Sequence, residues 1–119
     1  AAIQTIDIAN ERFGAYVGST DFIQQYVFPG GMLPSPQRFA SLADDADLRV
    51  NDTYSFGLDY AETLNRWLQQ FEAKLGDVRE LGFDETFVRI WRMYLAYCEA
   101  GFREQRTDVK QWLLTHNAT

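Results

Sequence analysis

The spacing of apolar residues changes several times along this chain, and each change predicts an element. "AIQTIDI", Ala2 to Ile8, is short, β-rich and mostly apolar, which predicts a buried strand. "ANERFGAYVGST" is polar, contains glycine and reads as a connector. Asp21 can N-cap a short helix, "FIQQYVF", which Pro29 ends because proline cannot continue the hydrogen-bond ladder. Gly30 and Gly31 then allow positive φ. Ser35 and Pro36 read as an N-cap followed by proline at the first helical position, with the helix running through "QRFASLAD". In "DLRVNDTYSFG", Leu48, Val50, Tyr54 and Phe56 alternate with Arg49, Asn51, Thr53 and Ser55. That is period 2, a strand with one wet face, and Asp52 interrupts its apolar side.

From Leu58 the period lengthens. Tyr60, Leu64, Trp67, Leu68, Phe71 and Leu75 follow helical spacing, with Gly76 as a plausible stop. A second long helix is predicted from an N-cap at Asp84, with Phe87, Val88, Trp91, Tyr94, Leu95, Cys98 and Phe102 as its apolar stripe. "TDVKQWLLTH" closes the chain as a strand. Strand, helices, strand, two long helices, strand is an α/β order. Three strands make a thin sheet, and the chain opens directly in strand-like sequence without Met. Residues 1–119 are therefore expected to be the C-terminal piece of a single larger domain.

Composition narrows the function classes. The chain has 119 residues, 46% hydrophobic and 15% aromatic, enough apolar surface for a core. Its net charge of -6 argues against nucleic acid and gives no polybasic anchor for anionic lipid. Cys98 is the one cysteine, so no internal disulfide forms and a reducing compartment fits. His116 is the one histidine, and no Cys/His cluster has metal-ligand spacing.

Candidate chemistry is sparse. Cys98 lies on a helix stripe, where a small core residue is the ordinary role. "FPGGMLPS" does not follow a strand as a dinucleotide loop would, and reads as a turn between helices. Asp59 and Tyr60 open a helix just after a strand, where open α/β sheets place ligands. Tyr60 there either presents its hydroxyl to a ligand or buries its ring. The aromatic stripes suit a core, and also the wall of a pocket for a long apolar ligand.

Four segments, "YVFPGGMLPS", "FGLDYAETLNRW", "YLAYCEAGFR" and "TDVKQWLL", resemble in order the C-terminal part of the cyclopropane-fatty-acyl-phospholipid synthase family, which includes the mycolic acid cyclopropane synthases. The resemblance implies the C-terminal portion of a Rossmann-like methyltransferase domain: about three strands, a helical insertion and two long helices. It implies an S-adenosylmethionine-dependent enzyme that adds a methyl(ene) to the double bond of an unsaturated phospholipid acyl chain, forming a cyclopropane fatty acid. The cofactor would be bound by the part of the family domain that precedes this segment, so the isolated segment would be inactive. Tyr60 matches a tyrosine that helps hold a catalytic bicarbonate. Gln4, in "IQTI", stands where well-studied members have a histidine that contacts the bicarbonate, which puts bicarbonate use and ring closure in doubt, because an amide can hydrogen-bond an anion but cannot titrate. Tyr26, Phe28, Pro29, Gly30 and Gly31 match the segment bordering the substrate cavity. Tyr94 and Cys98 match positions on the long helix. Implied partners are unsaturated phospholipid acyl chains, a membrane surface contacted peripherally from the cytoplasmic side, and further copies of the chain in a homo-oligomer.

Two other readings stand beside this one. A relative could methylate a different small apolar substrate, which Gln4 keeps open. A non-catalytic helical module could bind a partner through its apolar stripes, but it would need neither "YVFPGGMLPS" nor the strand-like start.

Overall fold

A computed structural model describes residues 1–117. Its elements are β1 (Ala2–Ile8), α1 (Asn10–Val17), α2 (Phe22–Tyr26), α3 (Pro36–Asp45), β2 (Leu48–Ser55), α4 (Gly57–Ala73), α5 (Leu75–Glu80), α6 (Glu85–Arg103) and β3 (Thr107–His116). The strands form one antiparallel sheet in the order β1-β3-β2. The α/β architecture is the expected one, with two long helices on one face and α3 on the other.

The helix starts follow the predicted side-chain caps. Asp21 and Gln24 make a capping box, with Gln24 N donating to Asp21 Oδ1 at 2.8 Å and Asp21 N donating to Gln24 Oε1 at 3.0 Å. Ser35 Oγ accepts from Arg38 N at 3.0 Å, and Asp84 Oδ1 accepts from Phe87 N at 2.9 Å.

Five expectations need correction, the last of them at β1 below. The first concerns the connector, which contains the helix α1. Tyr16 is buried, and its hydroxyl accepts from Leu33 N at 2.7 Å and from Gln24 Nε2 at 3.2 Å. Tertiary packing of one ring thus overrides a polar composition. Second, Gly76 does not stop a helix. The break falls at Lys74, whose N–H is shared between Gln70 O and Phe71 O at 3.1 Å each, and Gly76 lies inside α5. Third, Gly30 takes φ 80°, but Gly31 has an ordinary φ.

The fourth correction changes which residues share a face. In the register of β2 on β3, Val50 pairs with Leu114 and Asp52 with Leu113, so Asn51 is a bulge. A bulge reverses the alternation beyond it. Leu48 and Val50 therefore pack with Ala43, Trp112 and Leu114 beneath α3, while Phe56 packs with Val109 beneath α4 and α6. Asp52 marks the switch rather than interrupting one apolar face.

The core has two parts. Ala61 and Leu64 of α4 meet Leu95 and Phe102 of α6 over Val109. On the opposite face, the Phe39 ring lies 4.5 Å from that of Trp112, whose indole N–H donates to Thr5 Oγ1 at 2.9 Å.

β1 is not the buried strand its composition predicts. Among the described residues it pairs only with β3, and Ile3 and Ile6 remain 39% and 37% exposed. An unpaired edge with apolar side chains templates association with another strand. A chain of residues 1–119 is thus expected to self-associate in light scattering at high concentration, and Ile3→Lys to shift it toward monomer. A wild-type chain that stays monomeric would contradict this.

Candidate functional site

The hard break after α2 builds a cavity wall. Phe28 N donates to Ile23 O at 2.8 Å, and Gly31 N donates to Phe28 O at 2.9 Å. Gln24 Nε2 donates to Gly31 O at 2.9 Å, and the Tyr16 hydroxyl holds Leu33 N. The positive φ of Gly30 lets the chain reverse between these anchors. The turn thereby sets Phe28 and Leu33 against β1, α4 and α6, around an apolar cavity of about 480 Å³. Ile6, Ile8, Leu64 and Tyr94 also line it, with Asp21 and Glu104 among the charged residues of the wall. This volume lies within the ~300–1,000 Å³ of small-molecule sites.

Tyr60 also lines this cavity, in the first turn of α4. The strand-to-helix passage places it there: Phe56 N donates to Val109 O at 2.9 Å, and Gly57 starts the helix. The Tyr60 ring is held edge-on by Phe102 at 5.3 Å and Trp67 at 6.0 Å. Phe28 meets Tyr94 edge-on at 6.1 Å, so rings from α4, α6 and the turn converge.

The other predicted positions divide. The Tyr26 ring lies 5.4 Å from that of Phe22, tilted by 42°, and Tyr26 is 56% exposed, outside the cavity lining. Pro29, Gly30 and Gly31 shape the turn without lining the cavity. Gln4 shares a face of β1 with Ile6 and Ile8, because strand residues alternate. It does not line the cavity, however, and its Oε1 accepts from Gln111 Nε2 at 3.1 Å. Gln4 and Tyr60 are thus not brought into one cavity wall. Arg12 and Arg106 do line it and were not read from the sequence. Arg12 was hidden in the supposed connector, and Arg106 precedes β3 without a motif.

Burial controls the titrating groups of the wall. It pushes the Tyr94 hydroxyl up to about 12, and the neighbouring Cys98 and Tyr60 add to this. It pushes the Cys98 thiol up to about 11, against a smaller lowering by the hydrogen bond with Tyr94. Both groups stay protonated at neutral pH, and neither is a base there. The Cys98 thiolate fraction at pH 8 is then about 100-fold below that of a thiol at its ordinary value. Iodoacetamide should alkylate Cys98 about 100-fold more slowly than an unfolded-chain thiol, with the difference lost in denaturant. Equal rates in both states would refute the burial.

A second, polar cavity of about 660 Å³ adjoins the first. Ile8, Phe102 and Thr107 line both. Asp7, Glu11, Asp59 and Asp108 line the polar one. Asp108 Oδ1 accepts from Gly57 N and Val109 N, each at 2.9 Å, and so caps α4. Asp7 is 1% exposed, accepts from Thr5 Oγ1 at 2.6 Å and lies 4.0 Å from Lys110 Nζ. Burial raises its pKa, and the Thr5 hydrogen bond and Lys110 oppose the rise. Its Oδ2 is the buried side-chain polar atom without a hydrogen bond among the described residues. Also among the described residues, no group of three His, Cys, Asp or Glu side chains is placed to hold a metal ion.

Comparison with known proteins points in one direction. A family model described as mycolic acid cyclopropane synthetase matches residues 1–112. The tuberculostearic acid methyltransferase of Mycobacterium tuberculosis is 44% identical over 114 residues, covering 95% of this chain and 27% of that protein. The cyclopropane-fatty-acyl-phospholipid synthase of Escherichia coli is 32% identical over 91 residues, covering 76% of this chain and 23% of that protein. A crystal structure of a mycolic acid cyclopropane synthase complexed with SAH and CTAB superposes with a TM-score of 0.82 at 26% identity. That match covers 95% of this chain and 42% of the other. The chain thus spans about a quarter of the length of the curated relatives it matches.

Proposed function

Because the chain belongs to the mycolic acid cyclopropane synthetase family, we propose that it forms the acyl-chain wall of an S-adenosylmethionine-dependent methyltransferase acting on unsaturated phospholipid acyl chains. The family is one of cyclopropane and methyl transferases acting on lipids, and membership sets aside the non-catalytic helical module. The observation that carries the finer reading is the apolar cavity, ringed by Phe28, Tyr60 and Tyr94. When bound, S-adenosylmethionine supplies an electrophilic methyl group. The described residues contain no glycine-rich loop after a strand to hold it.

The chemistry asks three things of this chain. An acyl chain must be held dry and extended, which the apolar wall does. Methyl transfer would form a bond from the alkene π electrons to the methyl carbon as the methyl–sulfur bond breaks and its electron pair stays on sulfur, leaving positive charge on the neighbouring carbon of the acyl chain. Ring faces from Tyr60, Tyr94 and Phe28 stabilise such a charge better than aliphatic walls would. A proton must then leave. Tyr94 and Cys98 hold their own protons too tightly to take it, so the acceptor is a bound anion or a group outside these residues. Gln4 can offer only amide hydrogen bonds to such an anion. A ring is the product when the lost proton comes from the added methyl. The reading extends to a peripheral enzyme on the cytoplasmic membrane surface, assembled as a homo-oligomer. Among the described residues no helix is long and apolar enough to cross a membrane.

A second reading, methylation of another small apolar substrate, draws on Gln4, whose carbonyl is engaged by Gln111 away from the cavity. Ala15 tests the first reading. It lines the cavity from an exposed position on α1, so tryptophan there fills the cavity without disturbing the core. Ala15→Trp in the full-length protein should lower kcat/KM for oleoyl phospholipid at least about tenfold, with stability within about 1 kcal/mol. Unchanged turnover would place the acyl chain elsewhere.

A further inference from the structure

The wall of the apolar cavity is aromatic on its outer side as well. Phe28 and Tyr97 both line the cavity, yet remain 56% and 39% exposed. From Tyr97 the surface continues through rings. The Tyr97 ring lies 6.2 Å from that of Phe22, which lies 5.4 Å from that of Tyr26. Tyr26 is as exposed as Phe28 and stands outside the cavity lining. Rings from α2, the turn after it and α6 thus face solvent on the same wall that encloses the cavity. Contiguous exposed apolar surface of this kind marks an interaction site.

Charge is missing from the same segment. No Asp, Glu, Lys or Arg occurs between Asp21 and Arg38, although 24% of the chain is charged. The Asp21 carboxylate is engaged by Gln24 N as the cap of α2. The charged residues of the cavity lining come in both signs, Arg12 and Arg106 against Asp21 and Glu104. A surface that binds anionic lipid by charge needs a cluster of basic residues, and this segment has none. Phenylalanine and tyrosine instead suit the headgroup level of a bilayer, where a ring buries its body and wets its hydroxyl.

Continuity with the cavity selects the bilayer among possible partners. An acyl chain crossing water to reach the cavity would expose each of its methylenes, and a cavity wall resting on the membrane avoids that exposure. Phe28 and Tyr97 belong to the cavity and to the outer surface alike. We propose that Phe22, Tyr26, Phe28 and Tyr97 dock the protein on the bilayer by shallow apolar insertion that needs no anionic lipid, and so set the acyl cavity against the membrane. The proposal rests on the lipid-methyltransferase reading and adds where, and by what force, the protein meets its lipid.

The test changes Tyr26, which is exposed and lies outside the cavity lining. The full-length protein is sedimented with vesicles of dioleoyl phosphatidylcholine, which carry no net charge. Tyr26→Glu should weaken vesicle binding about tenfold, and Tyr26→Trp should strengthen it. Wild type that does not bind these vesicles, or Tyr26→Trp that binds no more tightly, overturns the proposal even if Tyr26→Glu fails to fold. Unchanged vesicle affinity in Tyr26→Glu also overturns it. With that result, a loss of dimer would assign the face to a second copy, and a lowered Tm would assign it to another part of the polypeptide. Turnover separates docking from the methyltransferase reading. Tyr26→Glu should lower kcat/KM about tenfold on the vesicles, but less than about twofold on oleoyl lysophosphatidylcholine kept below its micelle concentration. Equal losses on both substrates overturn the docking face while leaving methyl transfer standing. If wild type methylates neither, the methyltransferase reading fails, and vesicle binding by the two variants alone decides the docking face.

Discussion

Replacing Tyr60 with phenylalanine in the full-length protein should lower kcat for methyl transfer about 100-fold and leave stability within about 0.5 kcal/mol. The separation follows from how the ring is held. Phe102 and Trp67 pack against it in T-shaped pairs, which are ring contacts that phenylalanine can also make. Phenylalanine keeps them and deletes the polar tip on the cavity wall. A hydroxyl that orients an anion or the reacting chain acts in the transition state, so kcat falls with little change in KM. Unchanged kcat would make Tyr60 a packing residue only. Loss of stability in parallel with kcat would mean that the hydroxyl serves the fold.

Gly57→Ala should be the most destabilising single-methyl addition, at about 3 kcal/mol. Gly57 has no positive φ to require glycine. Space requires it: a methyl there would overlap Asp108 Oδ1 and lie 3.2 Å from Asp108 Cα. Asp108 would have to swing away, and its hydrogen bonds to Gly57 N and Val109 N would go with it. The same shift would move the start of α4 and hence Tyr60. Urea unfolding measures the loss. In the Asp108→Ala background the methyl should cost less than half as much, because the obstructing carboxylate is gone. A loss under about 1 kcal/mol, or full additivity with Asp108→Ala, would contradict the close approach.

Local signals made much of the fold legible. Asp21, Ser35 and Asp84 cap the helices they were read to cap, and "TDVKQWLLTH" is the closing strand residue for residue. These features depend on a few neighbouring side chains. The failures depend on distant partners. The helix α1 is held by Tyr16 reaching Leu33 and Gln24, contacts that no period within "NERFGAYV" displays. The bulge at Asn51 is a property of pairing with β3, and it turned one apparent apolar face into two. β1 looked buried because its composition is apolar, but composition does not say how many neighbours a strand has.

The candidate site divides in the same way. Phe28, Tyr60 and Tyr94 line the apolar cavity together. Pro29, Gly30 and Gly31 shape the turn, whereas Tyr26 packs on Phe22 outside the lining. Gln4 accepts a hydrogen bond from Gln111 and does not line the cavity. Arg12 and Arg106 reach the cavity only through tertiary placement, so no spacing in the sequence announces them.

The central claim is methyl transfer to an unsaturated acyl chain, and one measurement tests it directly. Cells expressing the full-length protein are supplied with methyl-labelled methionine, and their lipids are analysed by mass spectrometry with chromatographic separation of ring and branched isomers. The account predicts phospholipid acyl chains heavier by one labelled methylene, lost in Tyr60→Phe. A folded protein that binds S-adenosylmethionine but leaves every acyl chain unlabelled would contradict it, and would move the substrate to another small apolar molecule.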